Sequence, residues 1–342
     1  MQDLMIKDIL DNQAIAGVFL VREVNRGETK NGKPFLALTI MDASGEIACR
    51  VWENADRYID SCPTGATIKI KAQAQSYRGV LQLKIDHLER CEVPAEEMGR
   101  FIPATSGDIT AMAAELARLA KTIANDHLRE LVLAFLNDRQ IFTLFKKAPA
   151  AKHMHHACLG GLLEHTLGVT KAAEAVSELY PALDRSLLLA GAILHDIGKL
   201  VEFDYEEFPY DYSDRGRLMG HMVLAIEMIQ DKIAGIDGFP QETATNLKHL
   251  ILAHHGRHEF GSPTLPMILE AFVLNFIDDL DAKIDYITGL GQKLEGEGYQ
   301  WSEYQRNLER FLYVRGAADS QNQFPEDDDS IEIDHRQGSL FR

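Results

Sequence analysis

The chain lacks any apolar run long enough to cross a bilayer, so no segment is expected to span a membrane. Its start, Met1-Gln2-Asp3-Leu4, has none of the basic residues that open a secretory signal. Cysteine is sparse. Cys49, Cys62, Cys91 and Cys158 are scattered and form no CxxC pair, which predicts reduced thiols in a cytoplasm rather than a disulfide framework. A basic surplus is missing too: 35 Lys+Arg against 52 Asp+Glu leave a net charge of −17, which argues against a protein that coats nucleic acid over its whole surface. The acids are unevenly spread, so a local basic groove is still allowed. No repeat of fixed period is visible. What remains is an ordinary globular composition, 46% hydrophobic and 25% charged over 342 residues, long enough for two domains with separate cores.

Residues 1–92 read as strands. Ile15 to Val24, Pro34 to Asp42, Gly45 to Trp52, Ala66 to Gln75 and Gly79 to Leu88 are β-rich runs, separated by turn signals such as Asp42-Ala43-Ser44-Gly45 and Pro63-Thr64-Gly65. Five short strands in so small a domain predict an OB-type β-barrel. Alternation then sorts the faces. Leu36, Leu38, Ile40, Ile47, Cys49, Val51, Ile68, Ile70, Leu81, Leu83 and Ile85 are expected inside. Phe35, Thr39, Arg50, Trp52, Lys69, Lys71, Gln73, Gln82 and Lys84 are expected outside. A face on which bases stack on aromatics while lysine and arginine follow the phosphates suits a single strand. A solvated sheet face with protective lysines is the plainer alternative.

A linker is expected over residues 93–105, and beyond it the hydrophobic period changes from two to about 3.6. Helices are predicted over 107–119, 128–137, 141–145, 162–180, 185–194, 218–233, 243–254 and 265–290. The apolar run Leu187 to Leu194 ends in His195-Asp196-Ile197-Gly198-Lys199. A histidine and an aspartate side by side after such a run are costly to bury unless something binds them, and a metal ion is the usual solution. The other helices contribute His165, His221, His254-His255 and Asp278, each on or beside an apolar face. Singly, each is more often a satisfied polar residue. Together they supply nitrogen and oxygen ligands enough for two divalent ions.

The order H…HD…H…HH…D resembles the HD superfamily of metal-dependent phosphohydrolases. Gly160 to Thr166, His195 to Lys199, Gly220-His221, Ala253 to Gly256, Gly261-Ser262-Pro263 and Asp278 to Lys283 are more closely similar to the YhaM family of 3′→5′ exoribonucleases. That family joins an OB domain to an HD domain. The resemblance implies an OB-type barrel in 1–92, a linker in 93–105, an all-α HD domain in 106–315, and a tail, 316–342, outside both. It implies a first metal on His165, His195, Asp196 and Asp278. Asp196 would bridge to a second metal on His221 and His254, with His255 as a further ligand. Mn²⁺ is the metal implied, with Fe²⁺, Co²⁺ and Mg²⁺ as alternatives. Lys199 lies one helical turn after the HD pair, where it can meet a substrate phosphate. For His155 and His156, contact with the phosphate and a supporting or surface position are both open. Arg215, with Tyr205, Tyr210 and Tyr212, lies in a polar loop that would either line the substrate entrance or be an ordinary connection.

The activity implied is hydrolysis of single-stranded RNA, and of DNA as a second substrate, by attack of a metal-activated hydroxide, releasing nucleoside 5′-monophosphates. A nucleotide or cyclic-dinucleotide phosphohydrolase would use the same ligands. His255 to Pro263 is faintly similar to the HD-GYP class, although the GYP tripeptide is absent. A non-catalytic nucleic-acid-binding adaptor is the third reading. The tail is acidic and poor in apolar residues, so disorder is expected. It ends in Gln337-Gly338-Ser339-Leu340-Phe341, which resembles the QxSLF-type motifs that dock bacterial proteins on the DNA sliding clamp. The sequence leaves the oligomeric state open.

Overall fold

The computed structural model describes residues 4–316, except 30, 78, 152–155, 157, 206–209, 293, 295 and 297. His155 and the motif Gln337–Phe341 therefore lie outside the described residues.

Period-two alternation builds the N-terminal barrel. The strands β1 (Ala14–Glu28), β2 (Pro34–Asp42), β3 (Gly45–Val51), β4 (Thr67–Tyr77) and β5 (Val80–Arg90) close in the order β1-β2-β3-β5-β4, with a short helix α1 (Ala55–Tyr58) between β3 and β4. All pairings are antiparallel except β3 with β5, which is parallel. This is the expected five-stranded OB barrel. Its interior is filled by Leu36, Leu38, Ile40, Ile47, Cys49, Val51, Ile68, Ile70, Leu83 and Ile85, all buried. Leu81, expected with them, is only half-buried because it sits at the open start of β5.

Residues 93–105 connect the barrel to the helices and carry packing of their own. Phe101 and Ile102 are buried against Leu20 and Met41 of the barrel, with Leu159 packed beside them. The Leu159 N–H donates to the Pro103 carbonyl, and the Thr105 N–H donates to that of Leu159.

The helices follow as α2 (Ile109–Lys121), α3 (Asp126–Leu136), α4 (Arg139–Phe145), α5 (Gly161–Leu179), α6 (Arg185–Leu194) and α7 (Lys199–Glu202). A two-residue hairpin, β6 (Phe203–Asp204) with β7 (Asp211–Tyr212), precedes α8 (Asp214–Ile233), α9 (Gln241–Ala253) and α10 (Leu269–Gln292). Starts are set by caps: Asp108, Asn125, Asp138, Asp184 and Ser213 each accept hydrogen bonds from backbone N–H groups one turn on. The last helix begins at Leu269 rather than 265, since Pro266 disfavours helix at the residue before it. From Ser186 to Leu194 every residue of α6 is buried, so this helix is the centre of the helical core. Beyond α10 come β8 (Tyr299–Trp301) and β9 (Tyr313–Arg315), a second small hairpin. The chain falls into two compact units, Met1–Ala282 and Lys283–Arg342. Among the described residues no helix is long and apolar enough to cross a membrane.

Candidate functional site

The buried helix α6 delivers His195 and Asp196 into the middle of the helical core, where both are almost fully inaccessible. His165 comes from α5, His221 from α8, His254 and His255 from the end of α9, and Asp278 from α10. The two oxygens of Asp196 face different partners. Oδ2 lies 3.6 Å from His165 Nε2 and 3.4 Å from His195 Nε2. Oδ1 lies 3.5 Å from His221 Nε2 and 3.7 Å from His254 Nε2. Asp278 Oδ1 closes the first group, 3.2 Å from His165 Nε2 and 3.7 Å from His195 Nε2. His255 joins the second, where His221, His254 and His255 bring ligand atoms within 4.8 Å of one another.

Each histidine is held so that Nε2 points inward. A carbonyl or carboxylate at Nδ1 makes that nitrogen the donor. His195 Nδ1 donates to the Ala192 carbonyl at 2.9 Å, His254 Nδ1 to Ile251 at 2.6 Å and His255 Nδ1 to Phe260 at 2.8 Å. Carboxylates do the same for the other two: Asp281 accepts from His165 Nδ1 at 2.7 Å, and Glu202 from His221 Nδ1 at 3.1 Å. Glu202 also accepts the His221 backbone N–H at 2.9 Å, so ring and backbone are fixed together. Outer hydrogen bonds of this kind orient metal-binding imidazoles and make them better ligands.

The residues fit divalent ions. Asp196 Oδ1, His221 Nε2 and His254 Nε2 are buried without a hydrogen-bond partner, a costly arrangement for three polar atoms side by side. Two ligands each about 2.1 Å from one ion are about 3.0–3.5 Å apart, close to the separations observed here. The donors are imidazole nitrogen and carboxylate oxygen without thiolate, which suits Mn²⁺, Fe²⁺ or Co²⁺ better than Mg²⁺.

Charge is tightly coupled at the centre. Burial works to raise Asp196, but Lys199, His195 and His221 outweigh it and hold the carboxyl well below its ordinary range. Asp278 is likewise depressed, burial being overcome by the surrounding histidines. Burial and its histidine neighbours keep His254 neutral, the form a ligand needs. His165 differs: burial would lower it, yet Asp278 and Asp281 raise it to about 9.

The structure also places the remaining candidates. The Lys199 Nζ donates to Asp196 Oδ2 at 2.6 Å and is nearly buried. His156 supports the centre from outside, 3.2 Å from Glu164 through Nδ1 and 3.2 Å from Asp281 through Nε2. Arg215 is not brought to the centre; it is exposed on α8 and paired with Glu227. On the barrel, Phe35 and Trp52 meet with ring centroids 5.0 Å apart. Arg50 and Lys84 are neighbours across the β3–β5 pairing of the same sheet. Lys69 and Lys71 sit farther along β4, opposite Glu89 and His87 of β5.

Sequence reasoning assigned no role to Glu202 or Asp281. Both left a signal. Glu202 is a lone acid between Leu200-Val201 and Phe203, and Asp281 stands three residues after Asp278 on the same helical face.

Comparison with known proteins identifies two domain families in the chain. Residues 162–283 match the HD domain family, and residues 15–90 match a family described as an OB-fold nucleic acid binding domain. The chain thus carries an N-terminal OB-fold barrel followed by a helical HD-domain region. That HD domain, with the His and Asp groups gathered in it, marks a metal-dependent phosphohydrolase. Among solved structures, the chain is similar to the second OB-fold domain of replication protein A from Methanococcus maripaludis. The identity is 14% over 27% of this chain and 98% of that one, with a TM-score of 0.23. It is similar as well to an OB domain from Thermoplasma acidophilum, at 15% identity over 27% of this chain and 88% of that one, TM-score 0.23.

Proposed function

We propose that this OB–HD chain is a 3′→5′ exonuclease that acts on single-stranded RNA, with DNA as a second substrate, and releases nucleoside 5′-monophosphates. The observation that carries the reading is Asp196, one oxygen turned to each of two ligand groups. His165, His195, Asp196 and Asp278 would hold one ion, and Asp196, His221, His254 and His255 the other, with Mn²⁺ the first choice. Two such ions supply Lewis-acid polarisation of the phosphodiester and activation of water at neutral pH.

The protein's own residues do the rest. Glu202 and Asp281 fix the imidazoles of His221 and His165 by hydrogen bonds at Nδ1, so the ligands are preorganised. Lys199 neutralises Asp196 and sets an ammonium where phosphoryl oxygens gather charge. On the barrel, Phe35 and Trp52 stack bases while Arg50 and Lys84 follow phosphates. The scattered cysteines, with no CxxC pair, fit a cytoplasmic location.

The test is digestion of one single strand labelled at its 5′ end or its 3′ end, as matched RNA and DNA, with Mn²⁺, Co²⁺ and Mg²⁺ in turn. A 3′ label released at once as mononucleotide, with a 5′-labelled ladder shortening stepwise, is expected. Hydrolysis of nucleotides or cyclic dinucleotides alone would refute the proposal, and so would binding without cleavage.

A further inference from the structure

The hairpin of β8 and β9 turns its aromatic side outward. Tyr299 pairs with Arg315 and Trp301 pairs with Tyr313, so these four side chains tile one face of the hairpin. The other face presents Gln300 and Val314, of which Val314 is buried. This is the reverse of what packing alone would select: Tyr299, Trp301 and Tyr313 are 59%, 67% and 57% exposed, while the small Val314 faces in. The rings form one surface, Tyr313 lying 5.3 Å from Tyr299 and 5.0 Å from Trp301 between centroids. With planes inclined by 30° and 39° at those separations, Tyr313 is offset-stacked on Tyr299 and tilted against Trp301, a packed aromatic cluster whose members each stay more than half exposed. Charge supports the same ligand. Arg315 stands on the same face as the rings, opposite Tyr299 in the register.

Aromatic rings on a small sheet, with arginine among them, are how proteins hold unpaired bases: every base has a π face, and the guanidinium takes a phosphate or stacks in its turn. We infer that the β8–β9 hairpin is a second single-strand-binding surface, on which nucleobases stack against Tyr299, Trp301 and Tyr313 while Arg315 meets the sugar–phosphate backbone. The inference rests on the reading that the chain acts on single strands. It adds a nucleic-acid contact separate in sequence from the barrel and from the metal ligands. A polypeptide partner would also cover exposed rings, but Arg315 on the same face favours a polyanion.

The chain has two tryptophans, Trp52 and Trp301, so Trp52→Phe leaves Trp301 as the only indole. That full-length variant is titrated with an unlabelled 20-residue oligouridylate in EDTA, where no cleavage occurs, and Trp301 emission is followed. Quenching that saturates with the strand is expected. Anisotropy of a labelled strand should show Trp301→Ala and Tyr313→Ala each weakening binding by about 5- to 150-fold, the loss of one stacked base. Trp301→Phe keeps a ring and should keep the affinity. Arg315→Gln should flatten the log–log salt dependence by about 0.7, one phosphate contact on a single strand.

Unchanged Trp301 emission at saturation would overturn the inference, as would equal losses in Trp301→Phe and Trp301→Ala. Sedimentation of a wild-type dimer that Trp301→Ala dissociates would assign the face to a second copy of the chain and overturn it too. Hydrolysis of bis(p-nitrophenyl) phosphate with Mn²⁺ is measured in parallel. Its absence in every variant would sink the hydrolase reading while leaving the stacking surface testable by quenching.

Discussion

Replacing Gly198 with alanine should disconnect one half of the metal centre from the other. The α-carbon of Gly198 lies against the backbone of α8. A β-carbon there would stand 1.9 Å from the His221 carbonyl oxygen and 2.6 Å from the Ala225 nitrogen. Both obstacles are backbone, so no side-chain rotation relieves them. Reaching even 3.0 Å requires Gly198 and the His221–Ala225 stretch of α8 to part by about 1.1 Å. His221 Nε2 is 3.5 Å from Asp196 Oδ1, and ligand distances tolerate only about 0.2 Å of error. The strain of such overpacking is about 1–3 kcal/mol, which the thermal melt reads directly. Affinity on the His221 side should fall at least about tenfold, the size of effect seen when an orienting contact is lost. The His165, His195 and Asp278 side should keep its ion. The assay is metal content by mass spectrometry after equilibration with graded free Mn²⁺, alongside a thermal melt. Gly99→Ala serves as control, since a β-carbon there meets nothing within 4 Å. Two ions bound at wild-type affinity with an unchanged melt would refute the argument.

Asp196→Ala should abolish hydrolysis while leaving the circular dichroism spectrum intact, because the helical core is apolar and Asp196 serves both ligand groups; near-normal turnover with metal present would exclude a bridging role. His165 carries a proton up to about pH 9 in the metal-free protein, and an ion at Nε2 must displace it. Metal affinity should therefore rise with pH up to about 9, by about tenfold per unit from this group. Calorimetry in two buffers of different ionisation enthalpy should report a proton released at pH 7; a pH-independent affinity would contradict this. Trp52→Ala and Phe35→Ala should raise the apparent KM on long single strands about tenfold and leave dinucleotide cleavage unchanged. Equal losses on both substrates would count against a separate feeding role for the barrel.

Much of this protein was legible before folding was considered. Alternation in Leu36-Leu38-Ile40 and in Ile68-Ile70 prescribes strands with one buried face, and the five β-rich runs reappear as the five strands of the barrel. The unbroken apolar run Leu187 to Leu194 prescribes a fully buried helix, and α6 is one. The histidines and acids gathered on apolar faces, taken together and with the resemblance, also proposed the ligands, since such groups are costly to bury without a partner.

The division of those ligands between two ions came only from the resemblance; its physical cause lies in the tertiary structure. Two histidines adjacent in sequence, His254 and His255, both face His221, because the turn after α9 bends the second ring back to the Phe260 carbonyl. That Asp196 turns one oxygen to each group follows from the packing of α5, α8, α9 and α10 around α6, which no spacing encodes. Glu202 and Asp281 stayed hidden for the same reason. An orienting carboxylate is defined by the ring nitrogen it meets, and those meetings span 19 and 116 residues of chain. The barrel lysines make the converse point: Lys84 joins Arg50 on one sheet while Lys69 and Lys71 lie elsewhere on β4, because strand order and a register shift in the β4–β5 pairing, rather than alternation, decide which outward residues become neighbours.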